Sequence, residues 1–246
     1  MAALASQCAL CRAWPARPVC APCLARFACA LPRCATCALP LPPALPIPGA
    51  SGSHGAPAAR RCGACLRQPP PLDAALAAVP YAYPWSTLVT RYKFGGQHGW
   101  AGFLAGLMLA APGAAAALGS LQAGDWLLPL PLSAPRLQAR GFNQAWELAR
   151  ALARQSGTLA QADARLLLRS RDTPPQSRLA RAARLANVRG AFQVEPLRAA
   201  ALRGRRVLLV DDVMTSGASL FAAAEALQGA GAAHITALVL ARTAPA

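Results

Sequence analysis

Short apolar runs alternate with segments of helical periodicity over the last two thirds of the chain. The apolar runs predict strands at 77–83, 125–132, 164–169, 205–213 and 234–242, the first of them an edge strand. The periodic segments predict helices at 84–94, which begins at Pro84, at 140–157, which ends at Gly157, and at 219–231. Strands that alternate with helices predict an α/β domain around a parallel sheet.

The longest uncharged run spans residues 100–124. Alanine and glycine dominate its second half and Pro112 interrupts it, which indicates a helix ending near Ala110 and then a loop, not a membrane span. The first dozen residues already contain Cys8, Cys11 and Arg12 and lack the apolar segment of a secretion signal. We therefore expect a cytoplasmic protein without a membrane span.

Eight of the nine cysteines form four Cys-x-x-Cys pairs: Cys8 and Cys11, Cys20 and Cys23, Cys34 and Cys37, and Cys62 and Cys65. This spacing lets one tight turn direct two thiolates at a single ion, and two such turns complete a four-sulfur zinc site. Disulfides are the alternative, but a chain without a secretion signal is expected in a reducing compartment. Four sulfur ligands leave no open coordination position, so we expect structural zinc that contributes folding energy.

The spacing does not decide how the four pairs combine. Sequential and cross-braced pairing are both open, as is the choice between one and two zinc ions. Cys29 is left over and is expected to be a small buried hydrophobic residue. A Pro/Gly-rich insertion at about 39–61 and a proline cluster near 67–71 predict a zinc-ribbon unit at 1–70, followed by the α/β domain at 75–246.

The charge of the chain is strongly positive. Basic residues number 25 against 9 acidic ones, a net charge of +16. Most of this charge lies within 136–206, and a basic surface on this scale suits nucleic acid or a phosphorylated small molecule. The alternative is a GC-rich genome that favours arginine and alanine codons, and the composition alone does not separate the two.

Two adjacent acids and a turn of small residues follow the apolar part of strand 205–213. Ligands bind at the carboxyl ends of parallel strands, and successive N–H groups at a helix start can wrap a phosphate. The glycine allows the sharp turn and a close approach. The carboxylates suit sugar hydroxyls, with Mg²⁺ to offset their charge. The pattern predicts a ribose 5-phosphate site formed by Asp211, Asp212, Thr215, Ser216, Gly217, Ala218 and Ser219.

This stretch resembles the phosphoribosyl pyrophosphate (PRPP) motif of type I phosphoribosyltransferases. Together with "RYKFGG", "ARGFNQA", "TPPQSRLARAARLANVRGAF" and the four cysteine pairs, it makes the whole chain similar to the ComF family. The resemblance implies a double zinc ribbon joined to a type I phosphoribosyltransferase-like parallel sheet flanked by helices. It assigns the ribose hydroxyls to Asp211 and Asp212 and the 5′-phosphate to 215–219, with Ser216 where threonine is commoner.

The resemblance also implies further phosphate contacts. Arg136 or Arg140, after strand 125–132, is expected to hold diphosphate, because a guanidinium grips phosphate with two N–H groups. Segment 173–190 takes the place of the loop that closes over substrate, with Thr173, Gln176, Arg178 and Asn187 as candidates. A solvated helix face is the alternative for these arginines.

Two functions of different class follow. The first is an enzyme that transfers a phosphoribosyl group from PRPP, with Mg²⁺, to an unidentified acceptor. The alternative is a non-catalytic module of the transformation machinery that binds single-stranded DNA through its arginines and stacking aromatics. Candidate aromatics are Trp85, Tyr92, Phe94, Trp100, Phe142 and Trp146. The resemblance implies a link to competence and DNA uptake, with a competence helicase or other DNA-processing proteins as partners.

Overall fold

The computed structural model describes residues 6–14, 17–43, 60–95, 98–172, 188 and 190–244. Their main feature is a five-stranded parallel sheet of strand order β1-β7-β6-β2-β3. Its strands are β1 (Ala74–Pro80), β2 (Trp126–Pro129), β3 (Gln161–Ala162), β6 (Arg206–Met214) and β7 (His234–Arg242). Strands β4 (Leu167–Arg169) and β5 (Phe192–Val194) form a separate antiparallel pair.

The described residues also form eight α-helices. They are α1 (Ala21–Phe27), α2 (Gly63–Arg67), α3 (Trp85–Phe94), α4 (Ala101–Leu109), α5 (Ala114–Gly119), α6 (Ala134–Arg140), α7 (Gln144–Ser156) and α8 (Ala218–Gly229). Two 3₁₀ turns span His98–Trp100 and Pro196–Leu202. Within the described part of the chain, every helix is too short or too polar to cross a bilayer.

Helices cover both faces of the sheet, which explains the continuous apolar runs of β6 and β7. Val207 and Leu209 pack in one hydrophobic cluster with residues of α8. Leu208 and Val210 point to the opposite face and pack in a second cluster with residues of α4 and α7. Since successive side chains of a strand alternate between faces, a segment covered on both sides is a continuous apolar run, as 207–210 of β6 and 237–241 of β7 are. The expected parallel sheet flanked by helices is thus confirmed.

The uncharged run at 100–124 differs from its prediction in its second half. The helix that ends near Ala110 is present as α4, but the expected loop contains a second helix, α5. Alanine has the highest helix propensity, and Ala114 and Leu118 are fully buried in the same cluster as Leu104. Packing against α4 and α7 therefore makes a helix of a segment whose composition alone suggested a loop.

Both cysteine-rich segments pack against the sheet domain. Cys8 and Cys23 share a buried cluster with Trp85, whose Nε1 donates a hydrogen bond to the Phe27 carbonyl at 2.7 Å. The later cysteines belong to the main cluster, and the Ala75 N–H at the start of β1 donates to the Ala35 carbonyl at 2.8 Å. The division into a zinc-ribbon unit at 1–70 and an α/β domain at 75–246 stays a prediction.

Candidate functional site

A cavity of about 330 Å³ opens at the carboxyl ends of β2 and β6. A smaller one of about 40 Å³ adjoins it, above the start of α8. Of the residues selected from the sequence, those lining one or both cavities are Arg136, Arg140, Asp211, Asp212, Thr215, Gly217, Ala218 and Ser219. Ser216 lines neither, and its hydroxyl accepts a hydrogen bond from the Ala218 N–H at 3.3 Å. The candidates Thr173, Gln176, Arg178 and Asn187 lie outside the described residues.

The two acids stand on β6 with different surroundings. Both are buried, and Oδ1 of Asp211 accepts a hydrogen bond from the Asp212 N–H at 2.8 Å. Burial raises the pKa of Asp211 well above its usual range, and the neighbouring charge of Asp212 adds to that rise. Loss of contact with water therefore disfavours the charged form of Asp211, and a nearby cation or hydroxyl donor would stabilise it.

Asp212 has a cationic partner that sequence reasoning missed. Nζ of Lys93, near the end of α3, lies 3.1 Å from Oδ2 of Asp212 and also lines the larger cavity. That oxygen has no partner with hydrogen-bond geometry, so the contact is an ion pair only. A signal for Lys93 exists in the sequence, because it is the one lysine among 25 basic residues. The other 24 are arginine.

Three guanidinium groups complete the lining. Arg136 and Arg140 come from α6, and Arg169 is the last residue of β4. Burial lowers the pKa of Arg169, and the nearby charge of Arg136 lowers it further. With Lys93, four cationic side chains line the cavity against two carboxylates, so the cavity suits an anionic ligand. Arg169 is not among the site residues predicted from the sequence.

Arg140, which lines the cavity, also contacts an exposed aromatic ring. Its Nη1 donates to Oε1 of Gln144 at 2.5 Å, and its guanidinium carbon lies 4.9 Å from the ring centroid of Phe94. Phe94 is 71% exposed, whereas Trp85 and Tyr92 are buried in the core. Among the aromatics considered for stacking on DNA, Phe94 is the one that combines exposure with a place beside the site.

The turn between β6 and α8 is tight and depends on a glycine. Gly217 has φ +85°, and a Cβ there would lie 2.6 Å from Cζ of Phe221 and 2.7 Å from Cε of Met214. Glycine is thus needed for the turn itself and for the packing beneath it. The first N–H groups of α8 have no acceptor within the helix, which makes this helix start a favourable place for an anion.

The eight paired cysteines form two groups, Cys8, Cys11, Cys20 and Cys23, and Cys34, Cys37, Cys62 and Cys65. The arrangement is therefore sequential, not cross-braced. Within each group the sulfur atoms lie within 4.8 Å of one another. Cys11 and Cys20 are 3.6 Å apart, and Cys37 and Cys62 are 3.8 Å apart. A tetrahedral ion with Zn–S bonds of about 2.3 Å needs sulfur separations of about 3.8 Å, so both groups fit structural zinc.

Backbone N–H groups support one thiolate in each group. The N–H of Cys20 donates to Sγ of Cys8, and that of Cys62 donates to Sγ of Cys34, both at 3.3 Å. Burial raises the pKa of Cys8 and of Cys34, but such hydrogen bonds outweigh it and lower the pKa of each to about 6. Two of the eight sulfurs are thus prepared as thiolates, the form that binds metal.

All nine cysteines lie among the described residues, and all are free thiols. The cysteines therefore do not form the disulfides that were considered as the alternative to zinc ligation. Cys29 was expected to be buried, but it is exposed, and its thiol donates to the Ala25 carbonyl at 3.1 Å. The expectation was wrong because Cys29 follows the end of α1, in the exposed segment 29–32.

Residues 141–245 match the phosphoribosyl transferase domain family. The chain is 34% identical over 182 residues to DNA utilization protein YhgH of Escherichia coli O157:H7, which covers 74% of this chain and 78% of that protein. The YhgH protein of Salmonella typhimurium gives the same identity and coverage. Competence protein F of Haemophilus influenzae is 32% identical over 197 residues, which covers 80% of this chain and 85% of that protein.

Proposed function

Since the chain belongs to the ComF family, with a phosphoribosyl transferase domain, we propose that its cavity binds a ribose 5-phosphate ligand, PRPP above all, together with Mg²⁺. The observation that carries this proposal is one shared cavity. It brings the buried acids of β6, the turn before α8 and four cationic side chains to the carboxyl edge of a parallel sheet. A sugar that carries phosphate at one end and diphosphate at the other has the chemistry that such a lining complements.

Each group has a distinct part in this binding. Asp211 and Asp212 accept hydrogen bonds from the ribose hydroxyls, while the N–H groups and hydroxyls of 215–219 hold the 5′-phosphate. Arg136 and Arg140 bind the diphosphate. Lys93 balances the charge of Asp212, so that the acidic pair does not repel the incoming phosphates as strongly.

The acidic pair also fits Mg²⁺. Two adjacent carboxylates are hard oxygen donors, and burial together with the charge of Asp212 raises the pKa of Asp211, so a bound cation would favour its charged form. When bound with PRPP, Mg²⁺ would screen the repulsion between diphosphate and the carboxylates. Phosphoribosyl transfer would break the bond between ribose C1′ and diphosphate and form one to an acceptor nucleophile. The described residues do not identify that acceptor, so the proposal is confined to the donor.

The names of the relatives and the phosphoribosyl transferase domain together support a link to competence and DNA uptake. A second candidate function is therefore the binding of single-stranded DNA by a non-catalytic module. The observation that favours it is the exposed Phe94 ring under the Arg140 guanidinium, since basic grooves with stacking aromatics are typical of single-strand binding. Replacing Phe94 by Leu should weaken oligonucleotide binding and leave ribose 5-phosphate binding unchanged.

Calorimetric titration with PRPP and with ribose 5-phosphate, with and without Mg²⁺, tests the primary proposal. The double variant Asp211→Asn/Asp212→Asn keeps the shape but removes the charge. Because each lost charged hydrogen bond costs roughly 1.5–3 kcal/mol, its affinity should fall by a factor of roughly 10²–10⁴.

Asp73→Asn is the matched control, because Asp73 lies at the amino end of the sheet, where it accepts from the Ile235 N–H at 2.7 Å. It should bind as the unchanged protein does. Equal binding by the double variant would show that these acids do not hold the sugar. Absence of binding by the unchanged protein would refute the proposed ligand.

A further inference from the structure

Arg242, the last residue of β7, lies buried between the second cysteine group and the turn before α8. Its Nε donates to the carbonyl of Cys37 at 2.8 Å. Its Nη1 donates to the carbonyl of Met214 at 3.1 Å and also to that of Thr215. One guanidinium therefore joins the loop of Cys37 to the first two peptide groups of the turn at 215–219, which we call the phosphate turn.

The packing around Arg242 reinforces this connection. Cys34, Cys37, Cys62 and Cys65 belong to the same buried cluster as Met214, Ala218 and Phe221. The side chains of Met214 and Phe221 lie directly beneath Gly217. A displacement of the cysteine loop would therefore disturb both the hydrogen bonds to the turn and the apolar surface on which the turn rests.

The hydrogen bonds also orient the turn. In a trans peptide the C=O and the N–H point in opposite directions. With the carbonyls of Met214 and Thr215 held by Arg242, the N–H groups of Thr215 and Ser216 face away from the guanidinium. Two peptide planes at the start of the proposed phosphate cradle are thereby fixed before a ligand arrives, which reduces the entropy lost on binding.

We propose that Arg242 is a positioning residue that couples the second cysteine group to the phosphate turn. Metal held by Cys34, Cys37, Cys62 and Cys65 orders the turn through Arg242, and a sugar phosphate on the turn in return raises the zinc affinity of this cysteine group. The second half of this statement rests on the proposed function. Such coupling is reciprocal by thermodynamic necessity, and a factor of roughly 5–150 in affinity is typical.

The test uses the full zinc-loaded chain and the variant Arg242→Lys. An ammonium keeps the charge but lacks the planar fork that reaches Cys37 and Thr215 together. We expect the variant to retain its zinc while the amides of 215–219 exchange hydrogen roughly tenfold faster. In the unchanged protein, ribose 5-phosphate should raise several-fold the concentration of a colorimetric chelator that removes one zinc at equilibrium, and this increase should vanish in the variant.

If Arg242→Lys does not fold, two cysteine variants test the coupling between the second cysteine group and the turn. Cys62→Ser, in the second group, should speed exchange at 215–219, whereas Cys11→Ser, in the first group, should leave it unchanged. Equal exchange in these two variants, or unchanged exchange in Arg242→Lys, would overturn the proposal. If the unchanged protein does not bind ribose 5-phosphate, the proposed function fails, while the exchange experiment still decides the role of Arg242.

Discussion

The substitution Asp211→Asn should raise the free energy of unfolding at neutral pH although it removes a proposed binding group. Asp211 is buried beside Asp212, and the Lys93 ammonium makes its ion pair with Asp212. The Asn amide oxygen can still accept from the Asp212 N–H, a bond of 2.8 Å in the unchanged protein. Only the desolvated charge is lost, so stability should increase.

The pH dependence of this gain has a definite sign. Burial and the charge of Asp212 raise the folded-state pKa of Asp211 above its unfolded value of about 3.9. The stability that this carboxyl contributes is complete below the unfolded pKa and is lost as pH rises through the folded pKa. The advantage of Asn therefore grows across that window, by about 1.4 kcal/mol for each pKa unit of the rise, and then levels off. A gain of 1 kcal/mol corresponds to about 2–4 °C in Tm for a chain of this size.

Urea unfolding followed by tryptophan fluorescence, repeated over a pH series with zinc present throughout, measures this difference. The unchanged protein and Asp211→Asn contain the same cysteine groups. Protons taken up by the cysteines therefore contribute equally to both unfolding free energies and cancel in their difference. Asp212→Asn is the informative contrast, because it leaves the Lys93 ammonium, whose side chain is 20% exposed, without its partner. That variant should lose roughly 1–3 kcal/mol, less than a fully buried pair would. Destabilisation by Asp211→Asn, or a gain independent of pH, would refute the reasoning.

Three further predictions address the rest of the chain. Reduced, purified protein should contain two zinc ions per chain by elemental analysis. Cys62→Ser should lose one zinc ion and Cys29→Ser none. A zinc-free protein would contradict the assignment of the two cysteine groups to zinc. Gly217→Ala should lower the unfolding free energy by roughly 1–3 kcal/mol in urea titrations, because the turn needs a positive φ, and an unchanged value would argue against strain there. Single-stranded DNA should bind with an affinity that falls steeply with salt in fluorescence anisotropy, and binding indifferent to salt would speak against a phosphate contact. The salt slope should flatten when three arginines outside the described residues are replaced together by Gln, namely Arg181, Arg184 and Arg189.

The features that the sequence predicts well are local ones. Strands β6 and β7 contain continuous apolar runs, at 207–210 and 237–241, because both faces of the sheet are covered there, and such runs are visible in the sequence. The acids and the turn after them lie within nine residues of each other, at 211–219, so their shared position at the strand end could be inferred. The spacing of the cysteines likewise reveals the two halves of each metal group.

The features that escaped prediction depend on contacts between distant parts of the chain. Lys93 reaches Asp212 from a helix on another segment, and Arg169 reaches the cavity from the separate β4–β5 pair. The choice of sequential pairing among the cysteines is also tertiary, since every pair has the same local spacing. Helix α5 was missed because its alanines gave no amphipathic pattern, although packing buries Ala114 and Leu118.

The position of the single lysine has a practical consequence for chemical labelling. An amine-directed acylating reagent finds one side chain to modify in the whole chain, and that side chain stands in the cavity beside Asp212. Its nitrogen lies 3.1 Å from Oδ2 of Asp212, so a ligand that separates the two groups would change the access of the reagent to that nitrogen. Peptide mass spectrometry of residue 93 after brief acylation thus gives a reporter of cavity occupancy that requires no introduced probe.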